Sequence, residues 1–277
     1  MVNRAKRIKK VDEIVVKVLL IAGGILVSMP FIWMIMSSFK PESEIMQLVP
    51  SLFPKEFTLD NYTRLFEEMN FGVYLKNTLI IVLFSFIGLL LNAMTGFAFA
   101  KYEFPMKEPL FYLVLATMMI PSQVTMIPVY MILNYIGLTN TLIGIALPGM
   151  VAGFSVFLFR QFMSTIPEEI LEAARLDGAS EFYIFFRIIL PMSKPILSVQ
   201  GILTFIGAWN SFLWPLIMAN EEALYTLSVG LSLLKGQNAA SYGLQMAGAS
   251  LMIVPIIIIF SIFQKHIIDG YTLSGMK

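Results

Sequence analysis

Six stretches of roughly twenty apolar residues constrain this chain more than any other feature. They run over about 14–36, 77–100, 109–131, 139–159, 195–218 and 242–264, and none holds an Asp, Glu, Lys or Arg except Lys17 at an edge. A bilayer core takes roughly 20 apolar residues per helix, and a helix satisfies its own backbone in hydrocarbon. The chain is 57% hydrophobic and 13% charged, whereas soluble domains are about a quarter charged. That charge cannot cover a globule with polar surface. The expected fold class is all-α: a polytopic membrane protein with six transmembrane helices. Pro121 and Pro128 in the third span, and Pro195 and Pro215 in the fifth, predict kinks.

The basic run Arg4, Lys6, Arg7, Lys9, Lys10 leads into an apolar stretch too long for a signal h-region, with no small-x-small cleavage site. An uncleaved first span follows. With the N-terminus inside, the inner segments carry 13 Lys and Arg against five outside. That excess places both termini in the cytoplasm. The organisation is then a tail over 1–13, a six-span domain over 14–264 with a long inner loop over about 161–194, and a tail over 265–277. Proline punctuation and a helical piece beginning at Asp60–Asn61–Tyr62 suggest a surface helix in the first outer loop.

Several chemistries are excluded. The chain has no cysteine and one histidine, His266, read as a membrane-edge residue; no metal site is expected. Net charge is +1, which in itself says nothing about nucleic acid, and no nucleic-acid partner is expected of such a membrane chain. Proton-coupled carriers and voltage sensors need charged intramembrane groups, and the spans lack them. No HExxH and no GxxxxGK[ST] occurs, so no catalytic residue is assigned and nucleotide hydrolysis by a phosphate loop is excluded. Uphill transport would draw its energy from another subunit.

The notable polar groups near the spans are the neutral amides Asn92, Gln123, Asn134, Asn210 and Gln245, with Trp209 and Trp214 close to Asn210. Amides can bond between helices and tryptophans can anchor at an interface. Alternatively Gln123, Trp209, Asn210 and Trp214 line a neutral pathway suited to a polyol such as a sugar, whose hydroxyls both donate and accept.

The inner loop is the most informative segment. Thr165 and Glu168 have capping-box spacing around Pro167. A helix to Asp177 ends at Gly178 in a left-handed conformation. Phe182, Phe185, Phe186 and Ile189 then form one apolar stripe on a second helix, stopped by Pro191. Ala173 and Ala174 leave room for close approach, with Glu172, Arg175 and Asp177 at the rim. The loop is either an amphipathic linker or a docking protrusion.

Glu172–Ala173–Ala174, three residues, Gly178, nine residues, then Ile188, Leu190 and Pro191 resemble the "EAA" loop of bacterial ABC importer permeases. Softer similarities point to the carbohydrate-uptake branch, the subunit type of the maltose-transporter permease. They are Asp60–Asn61–Tyr62, the stretch from Phe97 through Lys101 to Phe104, Met119–Ile120–Pro121, Ala208–Trp209–Asn210 with Trp214–Pro215, and the tail from Asp269 to Lys277. The resemblance implies a bacterial inner-membrane subunit without ATPase activity of its own. Its loop is a coupling helix on which Glu172, Ala173, Ala174, Asp177 and Gly178 meet an ATPase. The implied partners are a second homologous permease, two ATP-binding subunits holding ATP and Mg, an extracytoplasmic solute-binding protein facing about Ala219 to Ser241, a sugar, and membrane lipid. The alternatives are the same importer class for another polar solute such as glycerol phosphate, a sugar channel or facilitator, and a structural scaffold.

Overall fold

The computed structural model describes residues 2–49, 51–237 and 241–274, with side chains over 13–49, 51–234 and 241–263. The readings placed on the His266 side chain and the two tails' side chains lie outside the described residues. The described chain is helical with no strand. In order the helices are α1 (Val2–Ser37), α2 (Glu42–Ile45), α3 (Asp60–Glu68), α4 (Phe71–Lys101), α5 (Lys107–Met118), α6 (Ser122–Tyr135), α7 (Leu142–Met150) and α8 (Gly153–Met163). There follow α9 (Glu168–Leu176), α10 (Glu181–Met192), α11 (Lys194–Trp209), α12 (Leu213–Met218), α13 (Leu227–Gln237) and α14 (Tyr242–Ser274). Four stretches are long and apolar enough to cross a membrane: Glu13–Ser37, Phe71–Lys101, Leu142–Met163 and Tyr242–Phe263. The count rises to six if each of two bent pairs is one span. In these, α5 and α6 meet at 106°, and α10 and α11 at 84°.

Bends follow backbone chemistry in part. Pro121 opens α6 at the first break, but α6 continues through Pro128 and α12 through Pro215. The fifth span is also interrupted at Asn210–Phe212. The second span begins at Phe71, six residues earlier than its apolar run, and its Asn77 and Thr78 side chains bind loop backbone. Asn77 Nδ2 donates to the carbonyls of Ala223 (2.8 Å) and Tyr225 (3.0 Å), and Thr78 Oγ1 accepts from Leu227 N.

The chain divides into two compact units. One comprises residues 1–69 and 234–251. Here α1 leaves its apolar side chains from Ile14 to Phe31 exposed, as a lipid-facing helix would. The loop after it is tied by polar groups. Asn61 Nδ2 donates to the carbonyls of Ser38 (3.0 Å) and Lys40 (2.8 Å), so the sequence-predicted helix at Asp60 closes the turn after α1. The buried Glu44 carboxylate accepts from Ser51 Oγ at 2.7 Å and from the Lys55 and Glu56 amides. The Ser51 bond holds this carboxyl below its usual range against the opposing effect of burial. Glu42 accepts from Tyr242 N and Gly243 N, supplying orphan donors at the start of α14 with a negative charge.

The other unit comprises 70–233 and 252–277 and centres on α4, which packs against α7, α8 and α11. Between α7 and α8 the chain is extended at Val151 and Ala152, leaving backbone groups without helical partners. Asn92 of α4 supplies them: Nδ2 donates to Met150 O at 3.1 Å and Oδ1 accepts from Ala152 N at 3.3 Å. One turn away Gly88 permits the approach, since a Cβ there would lie 2.3 Å from Met150 O. A small residue and an interhelical amide are the devices that let membrane helices touch.

Candidate functional site

Two features of the second unit carry functional chemistry. The first is the protrusion built by α9 and α10. Pro167, not Thr165, is the residue before α9; Thr165 Oγ1 donates to Phe162 O, so the expected capping box does not form. The start of α9 is fixed by Lys101 instead, whose Nζ reaches Ile166 O and, at 3.2 Å, Glu168. The helix ends at Leu176, with Asp177 as its C-cap and Gly178 at φ +79°. Gly178 N bonds Arg175 O and Ala179 N bonds Ala174 O, both at 3.0 Å, the paired closure of a glycine-terminated helix.

The inward side of the protrusion is a hydrophobic core shared with α4 and α8. Leu171, Ala174, Ile184, Phe185 and Ile189 pack with Phe97, Phe159 and Met163. The expected stripe is thereby corrected: Phe182 and Phe186 are exposed, while Ile184 joins Phe185 and Ile189 inside. The reason is local geometry. Residues Ile184–Ile189 form a π-turn, whose wider winding shifts the buried face away from a 3.6-residue register. Pro191 does not stop α10, which reaches Met192.

The rim is polar. Arg175 Nε donates to Glu181 at 2.9 Å, and the Tyr102 hydroxyl donates to the same carboxylate. The Arg175 bond, then the Tyr102 bond, hold Glu181 below the usual carboxylate range. Burial, then the Glu181 bond, push the Tyr102 hydroxyl up to about 12. The outward side of α9 is different. Glu172, Ala173, Leu176 and Asp177 are exposed, Leu176 at 89%. The carboxylates of Glu172 and Asp177 have no ion-pair partner among the described residues. Ala174, grouped with Ala173 by sequence, faces inward.

The second feature is an open cavity of about 570 Å³ lined by α4, α6, α7, α8 and α11. Its polar lining consists of the hydroxyls of Ser85, Ser122, Thr125, Ser155, Thr204 and Ser211 and the amide of Gln200; no ionisable side chain contributes. Of the four pathway residues read from sequence, only Trp214 borders it, its indole Nε1 donating to Ile145 O at 3.1 Å. Trp209 is buried, stacked on Phe205 and bonded to Met252 O. Asn210 is exposed and turns its amide back to Ile206 O. Gln123 is exposed on α6 beside Ser122.

A family model described as binding-protein-dependent transport system inner membrane component matches residues 92–272. The chain belongs to that family. Among its relatives is the arabinooligosaccharides transport system permease protein AraQ of Halalkalibacterium halodurans, 37% identical over 90% of both chains. Another is the diacetylchitobiose uptake system permease protein NgcG of Streptomyces coelicolor, 31% identical over 90% of this chain and 84% of that one. A crystal structure of a bacterial ABC transporter involved in import of the acidic polysaccharide alginate shares the fold, with a TM-score of 0.82 at 23% identity, over 92% of this chain and 96% of that chain. As an inner membrane component of a transport system, the chain is a multi-pass membrane protein.

Sequence reasoning passed over the cavity of this transport component while finding its loop. A signal was present: Gln200, Thr204, Gly207, Ala208 and Ser211 recur at i, i+4, i+7, i+8 and i+11, a small and polar stripe on an otherwise apolar helix.

Proposed function

We propose that the subunit spans a bacterial inner membrane with both termini and the α9–α10 protrusion in the cytoplasm, and serves as one permease of an ATP-driven oligosaccharide importer. A second homologous permease, two ATP-binding subunits and an extracytoplasmic solute-binding protein complete the assembly. ATP and Mg are bound by the ATPases. The surface offered to an ATPase is Glu172, Ala173, Leu176, Asp177 and Gly178, with Ala174 fixing the helix from behind.

The observation that carries this reading is the division of α9 into two sides. One side is packed into the ends of α4 and α8; the other presents two carboxylates, without an ion-pair partner among the described residues, around an exposed leucine. A rigid mount with an unsatisfied outer face suits a part that transmits force from a partner. The 13-to-five excess of basic residues supports the orientation, and relatives named for oligosaccharide uptake support the solute class. The uncharged cavity favours a sugar over glycerol phosphate, whose phosphate would find no counter-charge there. Of the pathway residues read from sequence, the proposal keeps Trp214.

Affinity purification of the tagged chain from its native membrane tests this. It is expected to bring down a second permease and two ATPases that turn over ATP, whereas the isolated chain does not. Reporter fusions at Lys107 and Ser180 are expected to read inside, and one at Asn61 outside. Turnover by the isolated chain, or an outside reading at Ser180, overturns the proposal.

A further inference from the structure

A second groove, open and of about 730 Å³, runs between α4, α11 and α14. Val82, Leu89, Ile202 and Phe205 line it and are buried, while Phe86 and Phe263, also in its lining, are 39% exposed each. One ionisable side chain lines it, the exposed Lys194 at the first position of α11. Its ammonium has no ion-pair partner among the described residues. The start of α11 has no side-chain cap, so the positive end of the helix dipole lies at the same edge. From there the lining of α11 runs Lys194, Ser198, Gly201 and Phe205, at i, i+4, i+7 and i+11. The groove is therefore cationic at one end, hydroxyl-bearing one turn on, and apolar beyond. Eleven residues of helix rise about 16 Å, and one leaflet's share of a bilayer core is about 15 Å.

We propose that this groove binds one anionic glycerophospholipid of the inner leaflet, its phosphate on Lys194 and one acyl chain along the groove towards Phe205. The inference goes beyond the importer reading and takes from it only the orientation, with Lys194 on the cytoplasmic side. The order of chemistry along the groove is the order along such a lipid: phosphate, ester, hydrocarbon. The Ser198 hydroxyl donates to an ester carbonyl. A basic pocket between spans on the cytoplasmic side meets a leaflet rich in anionic headgroups. An apolar helix of a partner subunit would cover the same walls but bring no counter-charge to Lys194.

The test uses the assembled complex, reconstituted in vesicles with a trace of phosphatidylglycerol that carries a diazirine midway along one acyl chain. After illumination, tandem mass spectrometry locates the attached lipid. In a phosphatidylcholine host, attachment is expected at Phe86 and Phe205. In a phosphatidylglycerol host it is expected to fall about fivefold, the preference that one lysine gives near an anionic surface. Attachment at Leu26, exposed on α1, should be the same in both hosts. Lys194→Gln is expected to make the two hosts equal at Phe86 and Phe205. Gly201→Leu fills the groove instead: the nearest atom to a Cβ there is Phe86 Cε1 at 3.8 Å, so the larger side chain fits and attachment at Phe205 is lost. No attachment in the groove of the assembled complex would mean that a partner helix fills it, and overturns the proposal. So does equal displacement by both hosts, which marks solvating lipid only, or a preference that survives Lys194→Gln. Should Gly201→Leu fail to assemble, Lys194→Gln decides. An outside reading of the Ser180 fusion overturns the orientation and the leaflet, whereas loss of the headgroup preference overturns the lipid site alone.

Discussion

The two ends of α4 solve the same problem, holding a loop in place, with a different balance of packing and polar bonds. At the Lys101 end the α9–α10 protrusion is fixed by a hydrophobic core, with Lys101 and the Tyr102–Glu181–Arg175 cluster at its edge. At the Phe71 end, the segment after α12 packs Ala219, Leu224 and Tyr225 on the core around Ile81 and adds a dense set of polar side-chain bonds. Asn77 binds two carbonyls, Asn140 bonds Glu221 and the Asn220 amide, and Glu222 accepts from Tyr74 (2.6 Å) and Asn70. Apolar packing is non-directional and resists load from any side. Hydrogen bonds fix geometry but can be exchanged for water. The first end is therefore held mainly by packing, and the second adds bonds that fix a defined shape.

The contrast is broken most directly at its packed end. Ala174→Leu is expected to overpack the core by about 1–3 kcal/mol, lowering the melting temperature of the solubilised complex and abolishing uptake. Glu172→Lys, on the outer side of the same helix, should leave melting unchanged and lose the ATPase in pull-downs. If both variants behave alike, the two sides of α9 are not distinct. At the polar end, Asn77→Leu strips two carbonyls of their donor, a loss of about 1–3 kcal/mol. Uptake driven by the solute-binding protein should fall while ATPase pull-down persists; loss of the ATPase instead would make the two ends equivalent.

A smaller effect is expected at Gly178. No atom lies within 4 Å of a Cβ placed there, so Gly178→Val incurs only the strain of its positive φ, roughly 1–2 kcal/mol. Gly178→Asn should cost less, and equal melting losses for the two would assign the effect to packing. Smallest is the rim. Glu181 lies below its ordinary range through Arg175 and then Tyr102. Its contribution is therefore complete above the unfolded value near 4.5 and is lost as pH falls through the depressed folded value. An exposed pair of this kind contributes roughly 0–1 kcal/mol. Limited proteolysis of the protrusion should accelerate slightly below pH 4.5, and Glu181→Gln should remove that pH dependence.

What the sequence disclosed divides along the same physical lines. Spans were legible because lipid demands unbroken apolar length. Gly178 was legible because a left-handed helix end is a local event. The Glu172 face was legible because its pattern is contiguous. The bridge from Asn92 to Met150 and Ala152 was not, since it joins residues some sixty positions apart. Nor was the role of Phe97, Lys101 and Tyr102 in seating the protrusion, which depends on where the end of α4 meets the end of α8. Gln200 escaped notice because one amide in an apolar helix becomes informative only when its neighbours in space leave its nitrogen without a partner.

The Asn92 bridge has a mechanical consequence. A continuous α4 of 31 residues is a shaft about 46 Å long. One end is seated in the protrusion, the middle is stitched to the cavity wall at the α7–α8 break, and the far end grips the segment after α12. A tilt of about 5° at one end of such a shaft displaces the other by roughly 4 Å. The break between Met150 and Ala152, bonded to that shaft by the Asn92 amide and packed on it at Gly88, shares one rigid rod with the protrusion.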